Sequence, residues 1–321
     1  MFLELQLKYL LWLQNLRILS HEFYTLLFFY ITSLGEYLIP IMTCAAIYWC
    51  IDKKLGSLII LNSALSLITT QLLKNFACIA RPWILDSRIK PADIALPHAG
   101  GYSFPSGHSA LAVSCWGSIG LWYKKNKKVL ISAIIICLLV AFSRNYLGVH
   151  TLQDIIIGLL VATIVLIITY KLLTWCENGK RRDLILALTV SAISTIIIAY
   201  TYFKSYPDIY DSAGNIIANT KHSKLSGFPK LGLVFGSFWG WYFERNFIKF
   251  DPKLGSTKTK IIRLIIGLGL FTLLTIFFST LIKQRAYKGA ASFAYMLIVG
   301  LFITLIYPWI VTKISLLKNK R

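Results

Sequence analysis

Acidic side chains are scarce in this chain: 13 Asp and Glu stand against 34 Lys and Arg over 321 residues, a formal net charge of +21. The six cysteines, Cys44, Cys50, Cys78, Cys115, Cys137 and Cys176, lack the paired spacing of a metal site. They read as apolar packing residues, which excludes a zinc centre and a disulfide framework from the expectation. No repeat recurs at the periods that mark solenoids or propellers. Basic residues are not interleaved with aromatics in a patch, so nucleic acid is not an expected partner. A cleavable leader is also missing, since residues 1–20 mix Gln6, Lys8, Gln14, Asn15 and Arg17 with leucines and offer no clean apolar core. The expectation for residues 1–22 is instead an amphipathic helix lying in a membrane interface.

What is abundant is apolar surface. The chain is 56% hydrophobic with a mean hydropathy of +0.65, and several windows of about 20 residues are almost free of charge, the length that crosses a bilayer core. The expected fold class is an all-α polytopic membrane bundle, with a core of about six spans and further spans toward the C-terminus. By hydropathy roughly nine segments qualify, near residues 23–50, 55–79, 108–123, 129–142, 152–173, 184–202, 230–243, 261–282 and 290–311. The first is interrupted near Ser33-Leu34-Gly35-Glu36. In domain terms this gives an interfacial helix (1–22), a membrane core (23–203), an extracytoplasmic loop (204–229), and added transmembrane helices with a basic cytoplasmic tail (230–321).

Basic residues set the orientation. Lys53-Lys54, the lysines of 124–128, Lys180-Arg181-Arg182, the 245–263 stretch and the 318–321 tail all fall on one side, which is then the cytoplasm. The net charge is largely this topology signal, with attraction to anionic lipids as its plain consequence.

Three short segments carry chemistry, all at the opposite, outer ends of their spans. Phe104-Pro105-Ser106-Gly107-His108-Ser109 reads as a loop entering a helix, where free amides and a serine hydroxyl suit an anion such as phosphate. Upstream, Lys74 and Arg81 are seven residues apart; if the helix persists they share a face, about 10 Å apart along it. Each cation, like Arg144, has an alternative role as a span-end anchor. Three on the outer side, against the charge bias, favour a bound anion. Downstream, His150 and Asp154 sit four apart at the start of a span, so the carboxylate can fix the imidazole tautomer. A structural His–Asp pair is the alternative, a costly one in a membrane segment.

Together, Lys74-(six residues)-Arg81-Pro82, Pro105-Ser106-Gly107-His108 and Ser143-Arg144-(five residues)-His150-(three residues)-Asp154 resemble the tripartite signature of the type 2 phosphatidic acid phosphatase superfamily of lipid phosphate phosphatases. The resemblance covers roughly residues 55–170. It implies that His150 is the nucleophile forming a phosphohistidine, Asp154 its orienting partner and His108 the general acid. Lys74, Arg81, Ser106, Gly107, Ser143 and Arg144 would hold the phosphoryl oxygens. No cofactor and no metal are expected, since phosphoryl transfer asks mainly for positioning and positive charge; Asp86 and Asp93 read as solvated loop residues.

The expected partners are a phosphorylated lipid and the surrounding membrane lipids. Candidate substrates are isoprenyl diphosphate, phosphatidic acid, phosphatidylglycerophosphate and a sphingoid-base phosphate. His98, close to the central motif, is either a headgroup-shaping residue or an ordinary loop histidine. The 204–230 stretch, with Asp208, Asp211, His222 and Pro229, is expected on the site's side. The small-residue spacing Gly232 to Gly236 favours close helix packing, and the last spans serve packing or homo-oligomerisation. Alternatives are a lipid phosphotransferase using the same histidines and a transporter, whose critical groups belong near mid-membrane rather than at span ends.

Overall fold

The computed structural model describes residues 2–20, 22–210, 214, 216–218, 220–283 and 288–318. Its helices are α1 (Phe2–Leu19), α2 (Thr25–Ser33), α3 (Leu38–Cys50), α4 (Lys53–Ala77), α5 (Pro82–Leu85), α6 (Gly107–Ala112), α7 (Ser118–Trp122), α8 (Lys127–Tyr146), α9 (Leu152–Glu177), α10 (Arg182–Phe203), α11 (Thr220–Leu225), α12 (Phe228–Phe243), α13 (Thr257–Lys283), α14 (Lys288–Leu301) and α15 (Tyr307–Lys318). A 3-10 turn covers Asp93–His98, and π-helical turns join α6 to α7 and α14 to α15. The described strands are one antiparallel pair, β1 (Ile209–Tyr210) and β2 (Ile216–Ala218). The class is all-α and polytopic, as the hydropathy implies.

Among the described residues six helical segments are long and apolar enough to cross a membrane, and a seventh counts if the broken pair α2 and α3 is one span. Two of the nine expected segments fall outside that set. Helix α12 runs on through a π-helical turn at Glu244–Ile248, so its far end carries Glu244 and Arg245 rather than apolar residues. The α6–α7 segment is short, from Gly107 to Trp122, with Ser109 through Ser114 buried in protein rather than facing lipid. Of the residues expected to matter in the 204–230 stretch, Asp211 lies outside the described residues, as does the tail from Asn319.

The chain divides into two compact units. The first comprises residues 1–40, 69–166 and 200–224. In it α1 buries Leu7, Leu10 and Leu13 with Ile89, and Phe142 packs alongside. A second apolar cluster, Ala92, Ala95, Ala99, Leu147 and Val149, joins the loop before α6 to the turn after α8. Loop residues 78–106 are therefore pinned rather than free. Ser103 N donates to Ile79 O (2.8 Å) and Ala92 N to Leu147 O (3.0 Å).

The second unit comprises residues 41–68, 167–199 and 225–321. A small-residue stripe on α12 meets α14 backbone to backbone: a Cβ on Gly236 would collide with the Leu297 carbonyl, and one on Gly300 would sit 2.5 Å from Ser237 N. Small residues at four-residue spacing are the usual device for close helix contact where no hydrophobic drive exists between helices in lipid. This unit also buries charge. The Glu244 carboxylate, 1% exposed, accepts from Lys53 Nζ (3.0 Å) and Phe250 N (2.7 Å), with Tyr48 OH at 3.3 Å. Arg263 donates to the Trp49, Pro252 and Leu254 carbonyls (2.8, 3.2 and 2.8 Å).

Candidate active site

Helix α4 stops at Ala77, and Cys78 takes a left-handed φ of 50°. Lys74 and Arg81 therefore do not share one helical face, contrary to the two-turn expectation. The proline explains part of the break, because Pro82 disfavours helical backbone at Arg81, which is extended (φ −71°, ψ 155°). Lys204 supplies the rest by capping the helix end, with Nζ 2.6 Å from Asn75 O and 3.2 Å from Phe76 O.

The two cations still act on one loop. Lys74 Nζ donates to Tyr102 O (2.9 Å) and Ser103 O (3.0 Å). Arg81, 4% exposed, donates through Nε to Gly101 O (3.0 Å) and through Nη2 to Gly100 O (2.9 Å). Its Nη1 reaches Val149 O (2.9 Å) and lies 3.0 Å from His150 Nε2. A guanidinium can only donate, so His150 Nε2 is the unprotonated nitrogen and Nδ1 carries the proton.

That proton faces Asp154, whose Oδ2 lies 3.3 Å from His150 Nδ1. His150 precedes α9 by two residues, so the pair is not built by helical i,i+4 stacking. Thr151 instead caps the helix. Its amide donates to Asp154 Oδ2 (2.8 Å) while its hydroxyl accepts from Asp154 N (3.3 Å), a reciprocal capping box. Ser103, fully buried, donates its hydroxyl to the same Asp154 oxygen and lies 3.4 Å from His150 Nδ1. Asn145 Nδ2 holds the His150 carbonyl (2.9 Å). Burial, followed by the nearby Arg81 charge, depresses the His150 pKa well below its ordinary 6.5 despite the Asp154 bond. The imidazole is neutral, with its Nε2 lone pair held by Arg81 Nη1.

Opposite stand His108 and Arg144. Ser106 is the N-cap of α6, its hydroxyl accepting from Ser109 N (3.3 Å) and Ser109 Oγ (3.0 Å). A Cβ on Gly107 would meet nothing within 4 Å, so the backbone there borders open space. Ser143 turns its hydroxyl back to Val140 O (2.6 Å). Arg144 is fully buried yet, among the described residues, bonds only through Nη1, to Thr32 Oγ1 (3.1 Å); its Nε and Nη2, and His108 Nε2, are buried with no hydrogen-bond partner among those residues. Burial, followed by the nearby Arg144, His150 and Arg81 charges, depresses the His108 pKa well below its ordinary 6.5, so it takes up a proton only when an anion offsets those charges. Native interiors rarely leave such donors unmet unless a ligand is to meet them.

Sequence reasoning missed Thr32, Ser103, Asn145 and Thr151, and the wall made by residues 32–36. There a Cβ on Gly35 would come 2.6 Å from the His108 carbonyl, Trp116 Nε1 donates to Leu34 O (2.8 Å), and Glu36 pairs with His98 Nδ1. The only signal for this wall was the interruption at Ser33-Leu34-Gly35-Glu36.

Buried arginine donors open beside two histidines, in a helical membrane bundle, make a layout suited to a tetrahedral oxyanion. The chain belongs to the PAP2 superfamily: residues 55–177 match the PAP2 superfamily model, and residues 228–321 match the PAP2 superfamily phosphatase, transmembrane extension. An undecaprenyl-diphosphatase of Sulfolobus acidocaldarius is 32% identical over 111 residues, 35% of this chain and 52% of the relative. Phosphatidylglycerophosphatase B of Bacillus subtilis is 36% identical over 88 residues, 25% of this chain and 42% of the relative. The chain thus spans about half the length of the curated relatives it matches. No solved structure matches it.

Proposed function

We propose that the chain is a metal-independent lipid phosphatase that hydrolyses a phosphomonoester or diphosphate of a membrane lipid through a phosphohistidine on His150. The observation that carries this reading is the set of buried nitrogens without partners among the described residues, Arg144 Nε and Nη2 and His108 Nε2, within electrostatic reach of a histidine held neutral with Nε2 unprotonated. In the first step His150 Nε2 attacks phosphorus, the bond from phosphorus to the lipid oxygen breaks, and His108, protonated once the anionic phosphate offsets the arginine charges, gives its proton to the departing oxygen. In the second, His108 takes a proton from water, the water oxygen attacks phosphorus, and the P–N bond breaks to release phosphate. Arg144 and the Gly107 amide meet the equatorial oxygens, Arg81 Nη1 turns from His150 Nε2 to one of them, and Lys74, held on the Tyr102 and Ser103 carbonyls, adds positive charge nearby, while Ser143 shapes that wall. Asp154 steadies the imidazole as its charge develops.

The site faces outward in this reading, because the motif ends of the spans lie away from the lysine-rich loops. Residues 23–203 form the catalytic core. Residues 204–229 form an extracytoplasmic loop, in keeping with the bonds from Lys204 to the α4 end and from Tyr102 OH to Pro207 O (3.1 Å). The last spans end in a basic cytoplasmic tail. Isoprenyl diphosphate and phosphatidylglycerophosphate are the substrate classes suggested by the relatives' names, with phosphatidic acid beside them.

Phosphate release by purified protein in detergent with EDTA, across these lipids and beside His150→Ala, tests the reading. Release that ignores EDTA and disappears in the variant is expected. Equal release by the variant overturns the role of His150, and no release from any lipid overturns the hydrolase reading.

A further inference from the structure

Helix α1 has two unlike faces. The side turned to the protein sets two polar residues, Gln6 and Arg17, each 3% exposed, among the buried Leu7, Leu10 and Leu13. Gln6 Oε1 accepts from Gln153 N (2.8 Å), an amide in the first turn of α9. Gln14 bridges the 88–90 loop, donating to Arg88 O (3.1 Å) and accepting from Lys90 N (2.6 Å). Arg17 Nη2 donates to Lys90 O (2.6 Å), and its Nη1 lies 3.5 Å from Tyr146 O. Every one of these anchors lies at the end of a span where the histidines stand. A helix whose contacts from residue 6 to residue 17 all meet that end lies across the span ends, not alongside them.

The opposite side is apolar and open. Phe2, Leu5, Trp12, Leu16 and Leu19 are between 40% and 76% exposed. At spacings of three, four and seven residues, Leu5, Trp12, Leu16 and Leu19 line one stripe. Neighbouring α8 presents Ile131, Ile134, Ile135, Leu138 and Leu139 exposed in the same manner, as a lipid-facing span does. The apolar stripe of α1 thus continues the lipid-facing surface of the span it packs on.

We propose that α1 docks in the bilayer interface on the site's side of the membrane and that its polar face positions the start of α9. The α9 capping box holds Asp154 through Thr151, and Gln6 holds the amide between them. Bilayer contact then steadies the segment that presents His150. Gln6 is a positioning residue that touches no substrate. The catalytic half of this inference rests on the phosphatase reading; the docking half does not.

The experiment places a photo-crosslinking benzoylphenylalanine at position 12 or 16 of the full chain in phosphatidylglycerol–phosphatidylcholine vesicles, with mass spectrometry of the adduct. Phospholipid adducts at both positions are expected. Adducts to a second copy of the chain, or none, overturn the docking. In parallel, Gln6→Ala is expected to lower kcat about tenfold with KM unchanged, and Gln6→Glu, which keeps an acceptor, to restore it. A change in KM alone, or no rescue, overturns the positioning role. Wild-type release of phosphate is the control that separates the two ideas: adducts without turnover sink the phosphatase reading, and turnover without adducts sinks the docking.

Discussion

Two arginines, each more than nine-tenths buried, show how the two units use charge differently. In the second unit Arg263 spends both terminal nitrogens on the Trp49, Pro252 and Leu254 carbonyls, lies over the Phe250 ring at 5.3 Å and, among the described residues, leaves Nε alone unmet. Glu244 nearby is likewise ringed by Lys53, Tyr48 and the Phe250 amide. In the first unit Arg144 makes one bond, to Thr32, and leaves two donors empty. An arginine whose terminal nitrogens are both taken is part of the architecture, whereas one with Nη2 open is arranged for something that arrives. Burial alone does not separate them; the count of unmet donors does.

The contrast can be broken most directly at the arginines themselves. Arg144→Met is expected to cut phosphate release by about a thousandfold, the scale for losing an oxyanion donor, with little change in Tm. If Arg144→Met instead lowers Tm and leaves turnover per folded molecule intact, the two arginines are of one kind. Glu244→Ala should do the reverse, costing about 3 kcal/mol of stability because it leaves Lys53 beside a carbonyl-lined pocket without its carboxylate. Turnover per folded molecule should hold, as read by thermal unfolding in detergent beside a rate assay. Ser103→Ala removes one of the donors to Asp154 and is expected to lower kcat about tenfold, the equivalent of about 1.4 kcal/mol, with Ser103→Thr retaining most of it. Vanadate or inorganic phosphate should raise the wild-type Tm by mass action, a shift that Arg144→Met abolishes and Arg263→Met keeps.

The smallest effect concerns pH. The folded pKa of His150 lies below 6.5, so between those values the unfolded chain binds a proton that the folded chain does not. Stability is therefore complete above about 6.5 and falls as pH drops through that window. The trapped phosphoprotein should keep forming below pH 6.5, and an acid limb at or above 6.5 that belongs to His150 would contradict its neutral state.

Much of the site was legible because its chemistry-bearing residues occur in short fixed spacings: His150 with Asp154, Ser106 with His108, Arg144 within reach of both. The geometry behind those spacings was less so. Nothing in Asn75-Phe76-Ala77-Cys78-Ile79-Ala80 is a helix breaker, and only Pro82 hinted that α4 would stop before Arg81. The break is completed by Lys204, more than a hundred residues away. Thr32, Ser103 and Gln6 were illegible for the same reason, since each acts on a residue distant in sequence and is of a type found in any polar stretch. Hydropathy located the helices well; the two expected segments that fall outside the long apolar set, α12 and α6–α7, bury much of their apolar surface against protein.

One carboxylate performs two duties. Asp154 Oδ2 closes the capping box that starts α9 and also receives the His150 and Ser103 protons. Tuning the histidine by changing this residue would loosen the helix that presents it, and repairing the helix would retune the histidine. Inheritance at this position is therefore constrained twice over. Variation in such a protein has freer room at its neighbours, the Ser103 hydroxyl and the α1 glutamine, where strength can be adjusted without rewriting the fold.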